Sequence, residues 1–241
     1  MRSPFKFSKK QPTMFKAYSE INWLLDKGYP KKSSITFVGN HYKFSKKIRY
    51  ILNRATQTIT DVEIITSKKI SDPKQLKNLI FHIDFYNQYT SYQSLIDSDP
   101  LIICRDGIYR DIFSLLHSKK QLRFDIGSVI SYISSLLPFK PRFLSLYIDQ
   151  QRSNSKKHSQ IIKEVLNKNL IPGECIVSKS VDHMLKIQTE GVIFSHDSIV
   201  LGKSLASFDY FHWGIKNGKL GKRLTTNIIN FYSRKNRNNV K

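Results

Sequence analysis

The chain has 241 residues, 40% of them hydrophobic and 12% aromatic, which excludes a disordered or fibrous protein and allows one large domain or two small ones. Its formal net charge is +22, from 40 Lys/Arg against 18 Asp/Glu. A surface this basic attracts polyanions whatever the fold, nucleic acid first and an anionic membrane surface second.

Residues 1–13 are basic, contain Pro4 and Pro12, and are expected to form a loose arm. In "MFKAYSEINWLLDKGYP", Phe15, Tyr18, Ile21, Leu24 and Leu25 recur at helical spacing, and Gly28 with Pro30 ends the helix. Two more helices are predicted, from Ser33 or Ser34 to about Tyr42 and from Ser45 to about Arg54. Ser45 suits an N-cap, because its hydroxyl can accept from a first-turn amide. Three helices with a short turn before the last resemble a helix-turn-helix unit. Its last helix would pack Ile48, Ile51 and Leu52 and present Lys46, Lys47, Arg49 and Arg54 to a polyanion. This unit spans 14–56. Residues 57–76 read as a linker with room for one strand or short helix.

An α/β domain is expected over 77–215. "LIFHID" (79–84), "PLIIC" (100–104), "FLSLYID" (143–149), "GECIVS" (173–178) and "GVIFS" (191–195) read as strands. Helices are predicted over 86–96, about 127–137, "SKKHSQIIKEVLNKN" (155–169) and "SVDHMLKIQ" (180–188). Strand–helix alternation with short connections means a mostly parallel, Rossmann-like sheet with helices on both faces. Ligands bind such sheets beyond the carboxyl ends of the strands. Residues 216–241 form a basic tail holding eight Lys/Arg and no acid. There Lys222 and Arg223, with Trp213, Phe231 and Tyr232 nearby, suit contact with RNA, and also a solvated terminal helix whose aromatics pack on the domain. The net charges of 1–70, 71–215 and 216–241 are +11, +3 and +8, so most acids lie in the α/β segment.

The placement of those acids carries the chemistry. Asp84 ends one predicted strand and Asp149 another, Asp197 follows a third at once, and Asp182 opens a helix. Asp106 and Asp111 follow strand 100–104 and are accessory candidates. Arg110 is expected to pair with Asp111 or to reach the site. In a parallel sheet all these carboxylates share one edge. Clustered like charges repel and raise one another's pKa values, which a divalent cation relieves. Oxygen ligands without a His or Cys set suit Mg²⁺ or Mn²⁺. Such ions orient water for attack on a phosphodiester.

The order "ID-x-x-N" (83–87), "YID" (147–149), "VDHML" (181–185) and "VIFSHDS" (192–198) resembles the PIN-like nucleases, especially their NYN branch. That resemblance implies Asp84, Asp149, Asp182 and Asp197 as metal ligands or their supports, with Asn87 and Ser198 holding loops or touching phosphate. The whole chain resembles proteins of the "domain of unknown function 434" family, through "LLDKGYPKKSSITFVGNHYKFSKKIR", "DGIYRDI", "IPGECIVSKSVDHML" and "GVIFSHDSIV". It departs from that family at "DFYN" (84–87), where a "DGHN"-like sequence is usual, and at Arg105–Asp106, where an acidic pair is usual.

His183 and His196 sit beside Asp182 and Asp197, and that adjacency points their rings away from the acids. There is no G-x-S-x-G, P-loop or G-x-G-x-x-G, so serine hydrolase, nucleoside triphosphatase and dinucleotide chemistry have no support. Cys104 and Cys175 lie in apolar runs without a C-x-x-C, and a reducing, cytoplasmic setting is expected. No signal-peptide core occurs at the N-terminus, and no run approaches the ~18 apolar residues of a membrane span. The expected function is nucleic-acid binding with metal-dependent cleavage of RNA. The alternatives are a non-catalytic module associated with RNA, the ribosome or tRNA, and a helix-turn-helix DNA-binding regulator.

Overall fold

Helix α1 (Gln11–Asp26) ends where Gly28 takes φ +84° and Pro30 follows. A glycine at that left-handed position closes a helix without strain on a side chain. In this computed structural model residues 11–112, 115, 122–218, 220 and 228–232 are described. Helices α2 (Lys31–His41) and α3 (Lys46–Ala55) follow, close to their predicted bounds. Met14, Ala17, Tyr18, Ile21 and Leu25 of α1 pack with Ile35, Val38, Ile51 and Leu52. Ser45 occupies the N-cap position of α3 but its hydroxyl makes no cap hydrogen bond. The turn is held instead by Arg49, which donates to the carbonyls of Phe44 (2.9 Å) and Gly39 (3.0 Å) and to Asn40 Oδ1 (3.0 Å). A Cβ at position 39 would stand 3.0 Å from that guanidinium, so glycine leaves it room.

The segment read as a linker contains helix α4 (Ile59–Ser67), capped by Thr58, whose Oγ1 accepts from the amide of Asp61 at 3.0 Å. Val62 and Ile65 face inward, while Ile59 and Ile64 stay exposed among the polar residues of the helix.

Among the described residues four strands build the main sheet: β1 (Ile80–Asp84), β4 (Phe143–Asp149), β5 (Gly173–Ser178) and β6 (Val192–Phe194). Their order is β5-β4-β1-β6 and all pairs are parallel. The connections step outward from β1 to β4 to β5, then return to place β6 on the other side of β1. This reversal leaves a crevice at the carboxyl ends of β1 and β6. One face of the sheet, through Phe81, Ile83, Leu144, Leu146 and Phe194, packs against α5 (Phe85–Ile96), α6 (Ile126–Ser134) and α7 (Ser155–Lys168). The other face, through Tyr147 and Ile193, packs on Val181 and Leu185 of α8 (Val181–Lys186) and Val200 of α9 (Ser198–Lys203). Helix α10 (Tyr210–Lys216) returns Tyr210 and Phe211 to the larger core.

Strand 100–104 does not join this sheet. It is β2 (Leu101–Ile103), antiparallel to β3 (Tyr109–Asp111) and parallel to β7 (Ile228–Asn230). All three residues of β2 are buried, Leu101 and Ile103 in the main core and Ile102 in the core of α1–α3. A strand this short, apolar on both faces, carries no periodicity that tells which sheet it belongs to. The second correction concerns the tail. Phe231 is 2% exposed, with its ring 5.1 Å from Phe15 and 4.8 Å from Tyr18. Trp213 packs on Phe139 with ring centroids 4.6 Å apart. Phe231 belongs to the helical core and Trp213 packs, partly buried, against the main one, whereas Tyr232 keeps 41% of its surface exposed. Residues 1–10, Lys222 and Arg223 lie outside the described residues. Among the described residues no helix is long and apolar enough to cross a membrane.

Candidate functional site: an acidic cleft with two walls

Asp84 ends β1 beside the crevice, and its Oδ2 accepts from Ser195 Oγ at 3.0 Å. Ser195 follows β6, so this bond ties the two strands flanking the reversal. The same serine oxygen accepts the amide of Asp197 at 3.1 Å. Asn87, one turn into α5, accepts the amide of His196 on its Oδ1 at 2.7 Å. Two side chains from β1–α5 thus fix the loop that carries Asp197. Asp197 itself caps α9, with Oδ1 accepting from Ile199 (2.7 Å) and Val200 (3.3 Å). Asp149 ends β4 and its Oδ1 accepts from the Gln151 amide at 2.8 Å. Asp182 lies in the first turn of α8.

These four carboxylates line one cleft of about 580 Å³. Burial pushes the Asp84 carboxyl up to about 7; Ser195 opposes the shift, and the charges of Asp182 and Asp197 add to it. The Asp182 carboxyl is also raised, by burial first, then by Asp197 and Asp149, against the pull of Lys186. The acids therefore act on one another through space. Asp111 lines the same cleft. Asp106 does not: it is buried in a two-pronged pair with Arg110, at 2.9 and 2.5 Å, and accepts from Gln57 Nε2 at 2.7 Å. Burial works to raise the Asp106 carboxyl, and Arg110 outweighs it and holds it below the usual carboxylate range.

Arg110 is 3% exposed, and its third bond runs from Nε to the carbonyl of His196 at 2.7 Å. It braces the Asp197 loop from behind and is not placed to touch a substrate. Arg49 holds the α2–α3 turn. Lys46 and Lys47 are exposed at the start of α3. Ser198 is the first residue of α9, next to the cleft-lining Asp197. Arg54 and Tyr50, from the far half of α3, line the cleft itself. Arg152, Lys179 and Lys186 line it as well, and Arg152 lies over the Tyr86 ring at 5.1 Å. No sequence signal marks these cations, because lysine and arginine are abundant throughout the chain. His183 also lines the cleft, contrary to expectation, whereas His196 is buried, with its Nδ1 3.0 Å from Ser91 Oγ.

Residues 13–68 match the family described as "Protein of unknown function (DUF434)", and residues 73–213 match "Domain of unknown function (DUF5616)". The chain belongs to the DUF5616 family, whose match covers more than half of it, and carries a DUF434 segment ahead of that domain. It is 30% identical over 186 residues to the uncharacterized protein MJ0935 of Methanocaldococcus jannaschii, an alignment covering 77% of this chain and 88% of the relative. No solved structure matches it. The two matched segments meet between α4 and β1, and each supplies one wall of the cleft. The DUF434 segment gives Tyr50 and Arg54. The DUF5616 segment gives the acids with Arg152, Lys179 and Lys186.

Hard, all-oxygen donors are what Mg²⁺ or Mn²⁺ prefers, and a cation would relieve the upward push on Asp84. The hydrogen bonds at Asp84, Asp149 and Asp197 each use one carboxylate oxygen. Among the described residues, however, no three Asp, Glu, His or Cys side chains are grouped as ligands of one ion. The donor chemistry fits such a cation; the grouping of the side chains does not enclose one.

Proposed function

We propose that this protein is a divalent-cation-dependent nuclease acting on RNA, with Asp84, Asp149, Asp182 and Asp197 holding Mg²⁺ or Mn²⁺. The observation that carries the reading is the meeting of four aspartates, from three strand ends and one helix start, in a single cation-lined cleft. A bound ion would polarise a phosphoryl oxygen and acidify water. The chain's own residues do the rest. Arg54, Arg152, Lys179 and Lys186 offset phosphate charge. Ser195 and Asn87 hold the Asp197 loop against β1, and Arg110 fixes that loop through the His196 carbonyl.

A non-catalytic binding module is the second reading, favoured by one observation: Asp149 and Asp197 already cap local turns, which explains them without metal. A regulator reading duplex DNA through α3 has less support, because Tyr50 and Arg54 of that helix line the cleft and do not stand free for a groove.

The test is incubation of labelled cellular RNA with the protein in Mn²⁺ or in EDTA, beside the Asp149→Asn/Asp197→Asn variant. Metal-dependent cleavage lost in the variant supports the nuclease. Equal retention of RNA by both proteins without cleavage sinks it in favour of the binding module.

A further inference from the structure

Four arginines of the DUF434 wall and its neighbouring sheet sit at or near the interior, and three are committed. Arg49 is held by Phe44, Gly39 and Asn40. Arg105 donates to both oxygens of Asp26 at 2.7 and 2.6 Å and to the Gln57 carbonyl at 2.6 Å. Arg110 is locked to Asp106 and His196. Arg54 differs. Its Nε is buried without a hydrogen-bond partner. Its nearest carboxylate oxygen, Asp111 Oδ2, is 3.8 Å from its Nη2, an ion pair too long for a hydrogen bond. Asp111 is meanwhile bonded by Ser91 Oγ at 2.9 Å. The Arg54 side chain keeps 27% of its surface exposed, and it lines the cleft. Its guanidinium carbon lies 5.9 Å from the Tyr50 ring centroid, so the aromatic supports it from one side. Native folds rarely keep a buried donor unmatched unless a ligand or a strained state accounts for it.

We propose that Arg54 is a phosphodiester-binding residue that the helical DUF434 segment contributes to the DUF5616 cleft, with Asp111 as the internal anion that occupies it until a ligand arrives. The inference deepens the phosphodiester reading of the cleft and rests on it, though not on turnover. Guanidinium is the group suited to it: its planar fork presents two parallel N–H groups to two phosphate oxygens, a fixed geometry that an ammonium lacks. A phosphate carrying one charge competes with an Asp111 that is already satisfied by Ser91, so the exchange leaves no carboxylate orphaned. The helical segment then has a role in the site itself, beyond general attraction by its charge.

The test uses the full chain in EDTA and a ribodinucleotide with one phosphodiester, titrated by calorimetry beside its uncharged methylphosphonate analogue. Without metal no cleavage intervenes, so a failed nuclease reading leaves this result intact. We expect Arg54→Ala to weaken dinucleotide binding at least five-fold and Arg54→Lys to recover only part of it. The Arg142→Ala variant, at an exposed cation by the amino end of β4 and away from the cleft, should bind within two-fold of the parent. Asp111→Asn should tighten binding, because it removes the competitor. Dinucleotide affinity unchanged in Arg54→Ala overturns the proposal. So does a parent protein that fails to distinguish the dinucleotide from its methylphosphonate. Equal weakening by Arg54→Ala and Asp111→Asn also overturns it, by making the pair a structural tie.

Discussion

The carboxyl edge of the main sheet and the turn of the small sheet hold the same residue type at the same kind of position, and the two treat it in opposite ways. Asp84 follows a buried strand and is pushed up to about 7 by burial, with negative neighbours and one serine for support. Asp106 also follows a buried strand, yet Arg110 encloses it and holds it ionised. An aspartate after a strand is therefore left uncompensated or locked in an ion pair according to which side chain the tertiary fold brings opposite. The uncompensated edge is the one to which the proposed function assigns a cation.

The sharpest way to break this comparison is to remove Asp106. Asp106→Ala leaves the Arg110 charge buried and unpaired, and should cost about 3–5 kcal/mol in urea denaturation. A loss below about 1 kcal/mol would mean that the pair is not structural. Next is the strand that completes the small sheet. Phe231→Ala should destabilise by about 3 kcal/mol, since it empties a buried aromatic site between α1 and β7. If its unfolding midpoint matched the parent's, the tail would not belong to the core.

The pH dependence of Asp84 comes third. Its folded pKa, about 7, lies above the ordinary 3.8, so the folded state holds the proton more tightly than the unfolded chain. That contribution is fully present below about pH 4 and is lost as pH rises through about 7. In EDTA, stability should fall by about 2 kcal/mol over this window, less than the ~4 kcal/mol ceiling from the full shift because solvent reaches the carboxylate. Asp84→Asn should flatten the profile, and parallel pH profiles for both proteins would refute the assignment. The smallest effect belongs to the Lys46→Ala/Lys47→Ala variant, which should shift stability by no more than about 0.5 kcal/mol, because both side chains are exposed.

Much of the architecture could be read along the chain. Strands 143–149 and 173–178 have the bounds that their apolar runs gave, and α5 and α7 follow from periodicity to within a residue or two. The four aspartates were legible because each stands at a punctuation point where a strand or loop meets a helix. Arg152, Lys179 and Lys186 were not legible, since one cation among forty carries no local mark. Nor was the role of Arg110: its i,i+4 spacing from Asp106 suggests a pair only once both are known to be buried.

By itself, then, the sequence determined a basic chain, an all-helical start, a parallel α/β continuation and acids at the strand ends. These rest on local rules of periodicity, capping and turn chemistry that a few neighbouring residues satisfy. The tertiary structure alone decided that β2 leaves the main sheet for one shared with β3 and β7. It also decided that Phe231 closes the helical core, that Asp106 is neutralised while Asp84 is not, and that α3 turns Arg54 toward the acids. Most of these depend on a partner tens of residues away; the Asp106–Arg110 pair spans only four residues but owes its strength to burial, which exists only once the distant segments have met.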